Sequence, residues 1–136
     1  MNDLVDLPVF DGEGNLNIVV ETPRGASLKL KYERRLRAFV FDRSLLLGVT
    51  YPYDFGFIPS TYAEDGDPLD AMVLFDAPTW PGVIVPSIPI GVVRLVQRRS
   101  RGSRRERNDR IIAVPAGDRR RQSVRDLPRR LRQEPA

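Results

Sequence analysis

Glu64-Asp65-Gly66-Asp67-Pro68-Leu69-Asp70 runs directly into the apolar stretch Ala71-Met72-Val73-Leu74-Phe75. An acidic turn joined to a short buried strand is how a β framework holds polar groups at a strand end. Three aspartates stand at i, i+2 and i+5, and with Glu64 four carboxylates fall within seven residues. Carboxylates packed this closely repel one another and raise each other's pKa. A hard divalent cation removes that penalty by taking carboxylate oxygens as ligands. Gly66 permits a tight turn that points Asp65 and Asp67 inward, and Pro68 stiffens the approach to the strand. The heptapeptide taken alone reads equally as a magnesium-type site on a loop or as a solvated acidic turn. It is not an EF-hand loop, because the later ligands and the closing Glu are missing.

Outward from this turn the chain reads mostly as strands. Leu16 to Glu21 is a strand with Val19 and Glu21 on one face. Leu28-Lys29-Leu30-Lys31-Tyr32-Glu33 alternates with period two, so Lys29 and Lys31 share a face. Ala38 to Phe41 is a short β-rich run ending at Asp42-Arg43. Ala71 to Phe75 is a buried strand. Val83 to Val85 and Ile88 to Val96 form a strand pair interrupted by Pro86 and Pro89. Arg98 to Glu106 is a hairpin loop, and Arg110 to Val114 is the return strand. Ser123 caps a short helix to Arg132, with Val124, Leu127 and Leu131 on one face. Many short strands with turns between them predict a mainly β fold, a small closed or partly open barrel with a short C-terminal helix.

Upstream of the acidic turn stands Tyr51-Pro52-Tyr53-Asp54-Phe55-Gly56-Phe57-Ile58-Pro59, then Thr61. Together with Asp65-Gly66-Asp67-Pro68-Leu69-Asp70 this closely resembles the family I soluble inorganic pyrophosphatases. Further segments agree in order and spacing: Glu21-Thr22-Pro23, Lys29, Asp42-Arg43, Pro89-Ile90-Gly91-Val92-Val93 and Arg110-Ile111-Ile112-Ala113-Val114-Pro115. The resemblance spans roughly residues 15 to 131. It implies an OB-like barrel and magnesium-dependent hydrolysis of pyrophosphate, with manganese as an alternative ion. It implies Asp65 and Asp70 as ligands of a first metal and Glu21 as a water-mediated ligand of another. Asp67 becomes the base that orients or deprotonates the attacking water, and Lys29, Arg43 and Arg110 the phosphate-binding cations. Tyr51 either lines the pocket or packs in the core. A homo-oligomer is also implied.

Four positions depart from the family pattern. Gln97 and Asn108 stand where the family has Asp, Lys31 stands where it has Glu, and Phe55 replaces a Tyr whose hydroxyl binds phosphate. The family's C-terminal helix with its Tyr-Lys pair is not matched before Ala136. On the residues alone Lys29 reads as a solvent-facing strand residue, Arg43 and Arg110 as surface cations, and Glu21 as a strand end facing water. The departures keep a second reading open, a non-catalytic relative that binds a divalent metal or a phosphorylated ligand.

The chain has 136 residues, 41% of them hydrophobic, which suits one domain over 1–136 with its own core. It contains no cysteine and no histidine, so disulfides, thiolate sites and His acid–base chemistry are excluded. Any metal is therefore held by oxygen, which favours magnesium, manganese or calcium. No apolar run approaches the ~20 residues of a membrane span, and residues 1–6 lack the basic start of a signal peptide, so a cytoplasmic setting is expected. The net charge of +4 hides an asymmetry. Residues 1–93 carry seven basic against thirteen acidic side chains, and residues 94–136 carry fifteen against five. The Arg-rich loop at 98–107 and the basic segment at 116–136 hold most of the excess. A phosphate-backbone contact is the third reading of that charge. Arg outnumbers Lys twenty to two, and no aromatic residue follows Trp80 to provide a stacking platform, so nucleic acid is not the expected partner.

Overall fold

Nine strands, several of them rich in β-branched and aromatic residues, form among the residues described in this computed structural model, 3–94, 96–98, 105–107 and 109–118. In chain order they are β1 (Leu16–Thr22), β2 (Leu28–Glu33), β3 (Ala38–Ser44), β4 (Asp54–Ile58), β5 (Leu69–Val73), β6 (Ile84–Val93), β7 (Val96–Arg98), β8 (Arg105–Arg107) and β9 (Arg110–Pro115). Five of them close into a barrel in the order β1-β4-β5-β9-β6, while β2–β3 and β7–β8 are separate two-stranded hairpins. Of the two expected alternatives, closed or partly open, the closed barrel is found. All barrel pairs are antiparallel except β5–β9, which is parallel and sets Asp70 level with Arg110.

The two-residue period of β5 and β9 divides their side chains between two cores. Ala71, Val73 and Ala113 pack with Leu16, Ile18 and Ile58 in one cluster. Leu74 and Val114 pack on the opposite face with Met72, Ile90, Ile112 and Tyr53. Ile18, Val19 and Val20 of β1 are wholly removed from water, each worth about 1.5–3 kcal/mol. Gly56 of β4 sits against this strand. A Cβ there would overlap the Val19 carbonyl oxygen and lie 2.8 Å from the Val19 carbonyl carbon, so only glycine lets β4 approach β1.

The β2–β3 hairpin lies over β4 through Tyr32, whose ring stands 5.1 Å from Phe39 and 5.9 Å from Phe57, centroid to centroid. The Tyr32 hydroxyl donates to Asp3 Oδ1 at 2.9 Å, and Asp3 also accepts from the Val5 N–H at the start of a single 3-10 turn, Leu4–Asp6. Among the described residues no helix is long and apolar enough to cross a membrane.

Several boundaries differ from the sequence expectation. β6 is one strand through both prolines, where a broken pair was expected. Pro89 borders a bulge between Pro89 and Gly91, and Pro86, paired with Asn17 of β1, turns its backbone toward β9, where its carbonyl accepts from the Ala116 N–H one residue past the last β6–β9 rung at Ser87↔Pro115, so neither interrupts a ladder that needs its missing N–H. The ladder of the β7–β8 hairpin reaches Arg98↔Arg105, shortening the expected 98–106 loop. β5 begins at Leu69 and ends at Val73, earlier than the expected Ala71 to Phe75. β4, Asp54–Ile58, is a strand beyond those the sequence pattern predicts. The helix expected over 123–132 and the 119–136 part of the basic segment lie outside the described residues, as does Asn108.

Candidate active site

Two β-bulges aim the charged residues of the first three strands. In β1 the register passes from Val20↔Gly56 to Thr22↔Phe55, which leaves Glu21 as the extra residue. A bulge bends the strand and re-aims the unpaired side chain. The Glu21 carboxylate accepts from the Tyr32 N–H at 2.7 Å, and Thr22 Oγ1 both donates to the Leu30 carbonyl and accepts from the Leu30 N–H. These bonds lay β2 across the end of β1. In β3 the register passes from Lys29↔Arg43 to Leu30↔Phe41, which leaves Asp42 as the extra residue. Lys29 and Arg43 are thus cross-strand partners, and Lys29 Nζ lies 3.5 Å from Asp42 Oδ2.

The acidic turn is built by local hydrogen bonds. The Asp67 N–H donates to Asp65 Oδ1 at 3.0 Å, and the Ala63 N–H to the Asp67 carbonyl at 2.7 Å. Gly66 takes φ +85°, the left-handed conformation the turn requires. Thr61 Oγ1 fastens the two ends of the loop, donating to the Ile58 carbonyl and accepting from the Leu69 N–H. Asp70, already in β5, pairs with Phe57 of β4 and Arg110 of β9.

All these elements open onto one cavity of about 730 Å³. Its lining includes every residue to which the resemblance gives a metal, catalytic or phosphate role, together with Tyr51: Glu21, Lys29, Arg43, Tyr51, Asp65, Asp67, Asp70 and Arg110. Tyr51, left open between pocket and core, lines the cavity, edge-on to the Phe55 ring at 4.8 Å. Lys31 and Phe55, two of the departures, line it as well. Gln97 lies on β7 opposite Glu106. Phe55 entered the sequence reading only as a lost hydroxyl. Here its ring lies under the Arg110 guanidinium, 4.9 Å from centroid to Cζ. The partnership crosses from β4 to β9, and no spacing in the sequence could signal it. Asp42, which the sequence offers as a partner for Arg43, instead lies beside Lys29, a contact that follows from the bulge.

The electrostatics show how tightly the charges are coupled. Burial lifts the Asp70 carboxyl above its usual range; Arg110 and Lys29 oppose this, while Asp65 and Asp67 add to it. Burial pushes Glu21 up to about 7, opposed by the Tyr32 N–H and by Lys29 and Lys31, and reinforced by Asp70. Burial also raises Tyr51, against the pull of Arg43 and Arg110.

Every potential metal donor in the cavity is an oxygen. Burial, reinforced by neighbouring carboxylates, holds Asp70 and Glu21 high, and a dication beside them would favour their charged forms. Among the described residues, however, no three or more acidic side chains converge closely enough to cage an ion by themselves. The donors therefore fit a hard ion that takes one or two carboxylates and completes its shell with water and substrate oxygens.

Comparison with known proteins agrees with this arrangement. The family model described as inorganic pyrophosphatase matches residues 18–135. An inorganic pyrophosphatase of Synechocystis is 40% identical over 116 residues, which cover 85% of this chain and 65% of that protein. One of Nostoc is 40% identical over 125 residues, 92% of this chain and 70% of that protein. The crystal structure of the Thermus thermophilus inorganic pyrophosphatase superposes with a TM-score of 0.75 at 39% identity, covering 93% of this chain and 72% of that one. The chain thus spans roughly two thirds to three quarters of these relatives' length. A closed five-stranded barrel and a family match over most of the chain lead to one assignment: the chain belongs to the inorganic pyrophosphatase family.

Proposed function

We propose that this protein hydrolyses inorganic pyrophosphate to two phosphates in the presence of magnesium, with manganese able to replace it. The observation that carries the reading is that the Asp65, Asp67 and Asp70 carboxylates and the cations Lys29, Arg43 and Arg110 line one cavity. A polyanionic phosphate needs cations on one side and a dication between itself and the carboxylates on the other. Magnesium, when bound, supplies charge neutralisation and a more acidic water.

The chain's own residues supply the rest. Lys29 and Arg43, side by side on the hairpin, bind the oxygens of one phosphoryl group, Arg43 as a planar fork. Arg110, reaching in from β9, binds the other, and the Tyr51 hydroxyl donates to a phosphate oxygen. Asp65 and Asp70 would hold the metal, and Glu21 would help hold a second. Asp67 takes a proton from the attacking water, a step worth about 10²–10⁴ in rate. The water oxygen bonds to one phosphorus, the bridging P–O bond breaks, and the two protons of the water end up one on each phosphate. Lys31 adds positive charge to the same wall. The expected setting is the cytoplasm, and self-association is expected through apolar surface such as Trp80 and Leu47, both exposed in the single chain.

The test is phosphate release from pyrophosphate by the purified chain with magnesium, beside Asp67→Asn and Asp70→Asn. Turnover that requires magnesium and falls at least 100-fold in both variants supports the reading. No turnover with magnesium or manganese, from a protein shown by circular dichroism to be folded, replaces it with the non-catalytic binder.

A further inference from the structure

Arg110 reaches the cavity by an unusual route. Its strand, β9, is separated from β4 by β5, because the barrel order is β4-β5-β9. On the ladder, Arg110 is level with Asp70 of β5 and, through it, with Phe57 of β4. The guanidinium nevertheless lies over the ring of Phe55, two residues along β4. Adjacent strands are about 4.8 Å apart, so the Arg110 and Phe55 side chains meet across the width of β5. Along that path Arg110 Nε is buried with no hydrogen-bond partner, and no carboxylate forms an ion pair with the guanidinium among the described residues. An extended arginine has considerable rotamer freedom to lose. Here the contact that fixes it is an aromatic face rather than a hydrogen bond. The ring is itself fixed: Tyr51 stands edge-on to it at 4.8 Å and 76°, and Met72 is its cross-strand neighbour.

We propose that Phe55 is a positioning residue for the reaction: its ring holds the Arg110 guanidinium over β5, ready for a phosphate. This rests on the reading of Arg110 as a phosphate-binding group. It turns the missing hydroxyl at position 55 into a role for the ring. A cation over an aromatic face is held without using its N–H groups, whereas a carboxylate partner would occupy the fork that must grip the substrate. The Tyr51–Phe55–Arg110 stack therefore orders the cation before substrate arrives, so less ordering remains to be done on binding.

The test compares wild type with Phe55→Leu, Phe55→Tyr, Arg110→Gln and the double variant Phe55→Leu/Arg110→Gln. Imidodiphosphate, a pyrophosphate analogue with a nitrogen bridge, is titrated calorimetrically with magnesium present, and KM and kcat for pyrophosphate are measured alongside. A cation–π contact of this kind corresponds to a factor of about 3–30 in affinity. Phe55→Leu is expected to weaken analogue binding and raise KM by that factor, with kcat changed less than KM. Phe55→Tyr restores both, since it keeps the aromatic face. In the Arg110→Gln background, Phe55→Leu adds less than twofold. Equal effects of Phe55→Leu with and without Arg110, or no rescue by Phe55→Tyr in a protein of unchanged melting temperature, overturn the proposal. If wild type binds the analogue but does not turn over pyrophosphate, the hydrolytic reading fails while the binding series still judges Phe55. If wild type does not bind the analogue, both fall.

Discussion

Replacing Gly56 by alanine probes the closest approach between two strands of the barrel. The added methyl would overlap the Val19 carbonyl oxygen, lie 2.8 Å from the Val19 carbonyl carbon and 3.0 Å from Val20 Cα. All three are backbone atoms, so no side chain can rotate away to make room. Relief requires β4 and β1 to separate by roughly 1 Å or more, which loosens the rungs Val19↔Phe57 and Val20↔Gly56. Losing two ladder hydrogen bonds costs about 2 kcal/mol, and disturbing the packing of the wholly buried Val19 and Val20 adds about 1–3 kcal/mol. Gly56→Ala is therefore expected to destabilise by at least about 3 kcal/mol, a large part of a total of roughly 5–15 kcal/mol. In urea denaturation followed by circular dichroism, the midpoint should fall by about 1.5–2 M, and the melting temperature by about 10–15 °C. The same displacement reaches the Glu21 bulge one residue on, so any folded fraction should lose activity as well. A variant unfolding within about 0.5 M of wild type would refute the steric argument, because it would mean the two backbones have room to spare.

Tyr32→Phe removes the hydroxyl that donates to Asp3 Oδ1 while keeping the ring on Phe39 and Phe57; a loss of about 1–2 kcal/mol, read as a melting-temperature drop of about 3–8 °C, is expected. Thr61→Val removes both bonds that close the acidic loop, and kcat/KM should fall about tenfold or more while the melting temperature moves by less than about 8 °C. Burial raises the Asp54 carboxyl above its usual 3.8, although the Arg24 N–H and Thr79 hydroxyl lower it. Its folded pKa thus exceeds its unfolded one, so its stabilising contribution is full below about pH 3.8 and is lost as pH rises through the folded value. Asp54→Asn should accordingly lose less stability than wild type between about pH 4 and pH 7 in urea midpoints taken across that range, and identical slopes would contradict the assignment.

Much of the site was legible because its chemistry is local. The turn Asp65-Gly66-Asp67-Pro68 specifies its own geometry through Gly66 and the Asp65 side chain, and neither depends on distant contacts. The alternation of Leu28 to Glu33 gave β2 correctly for the same reason. β4 is not legible in the sequence, because the glycine within it is explained only by the close approach of β1. β6 was read as broken because a proline's effect depends on whether a neighbouring strand needs its N–H, and no single segment contains that information.

By itself the sequence determined the ingredients: an oxygen-only donor set, four clustered carboxylates, basic residues on β-patterned segments and a chain able to form a small β-barrel. The tertiary structure alone decided their assembly. Closure in the order β1-β4-β5-β9-β6 puts Arg110 level with Asp70, although forty residues separate them along the chain. The bulges at Glu21 and Asp42 aim side chains that simple alternation would misdirect, and Phe55 acquires a cation across an intervening strand. Strand period and turn chemistry are properties of neighbouring residues. Register, bulge position and barrel closure come from packing distant segments together, and only the folded chain satisfies all of those contacts at once.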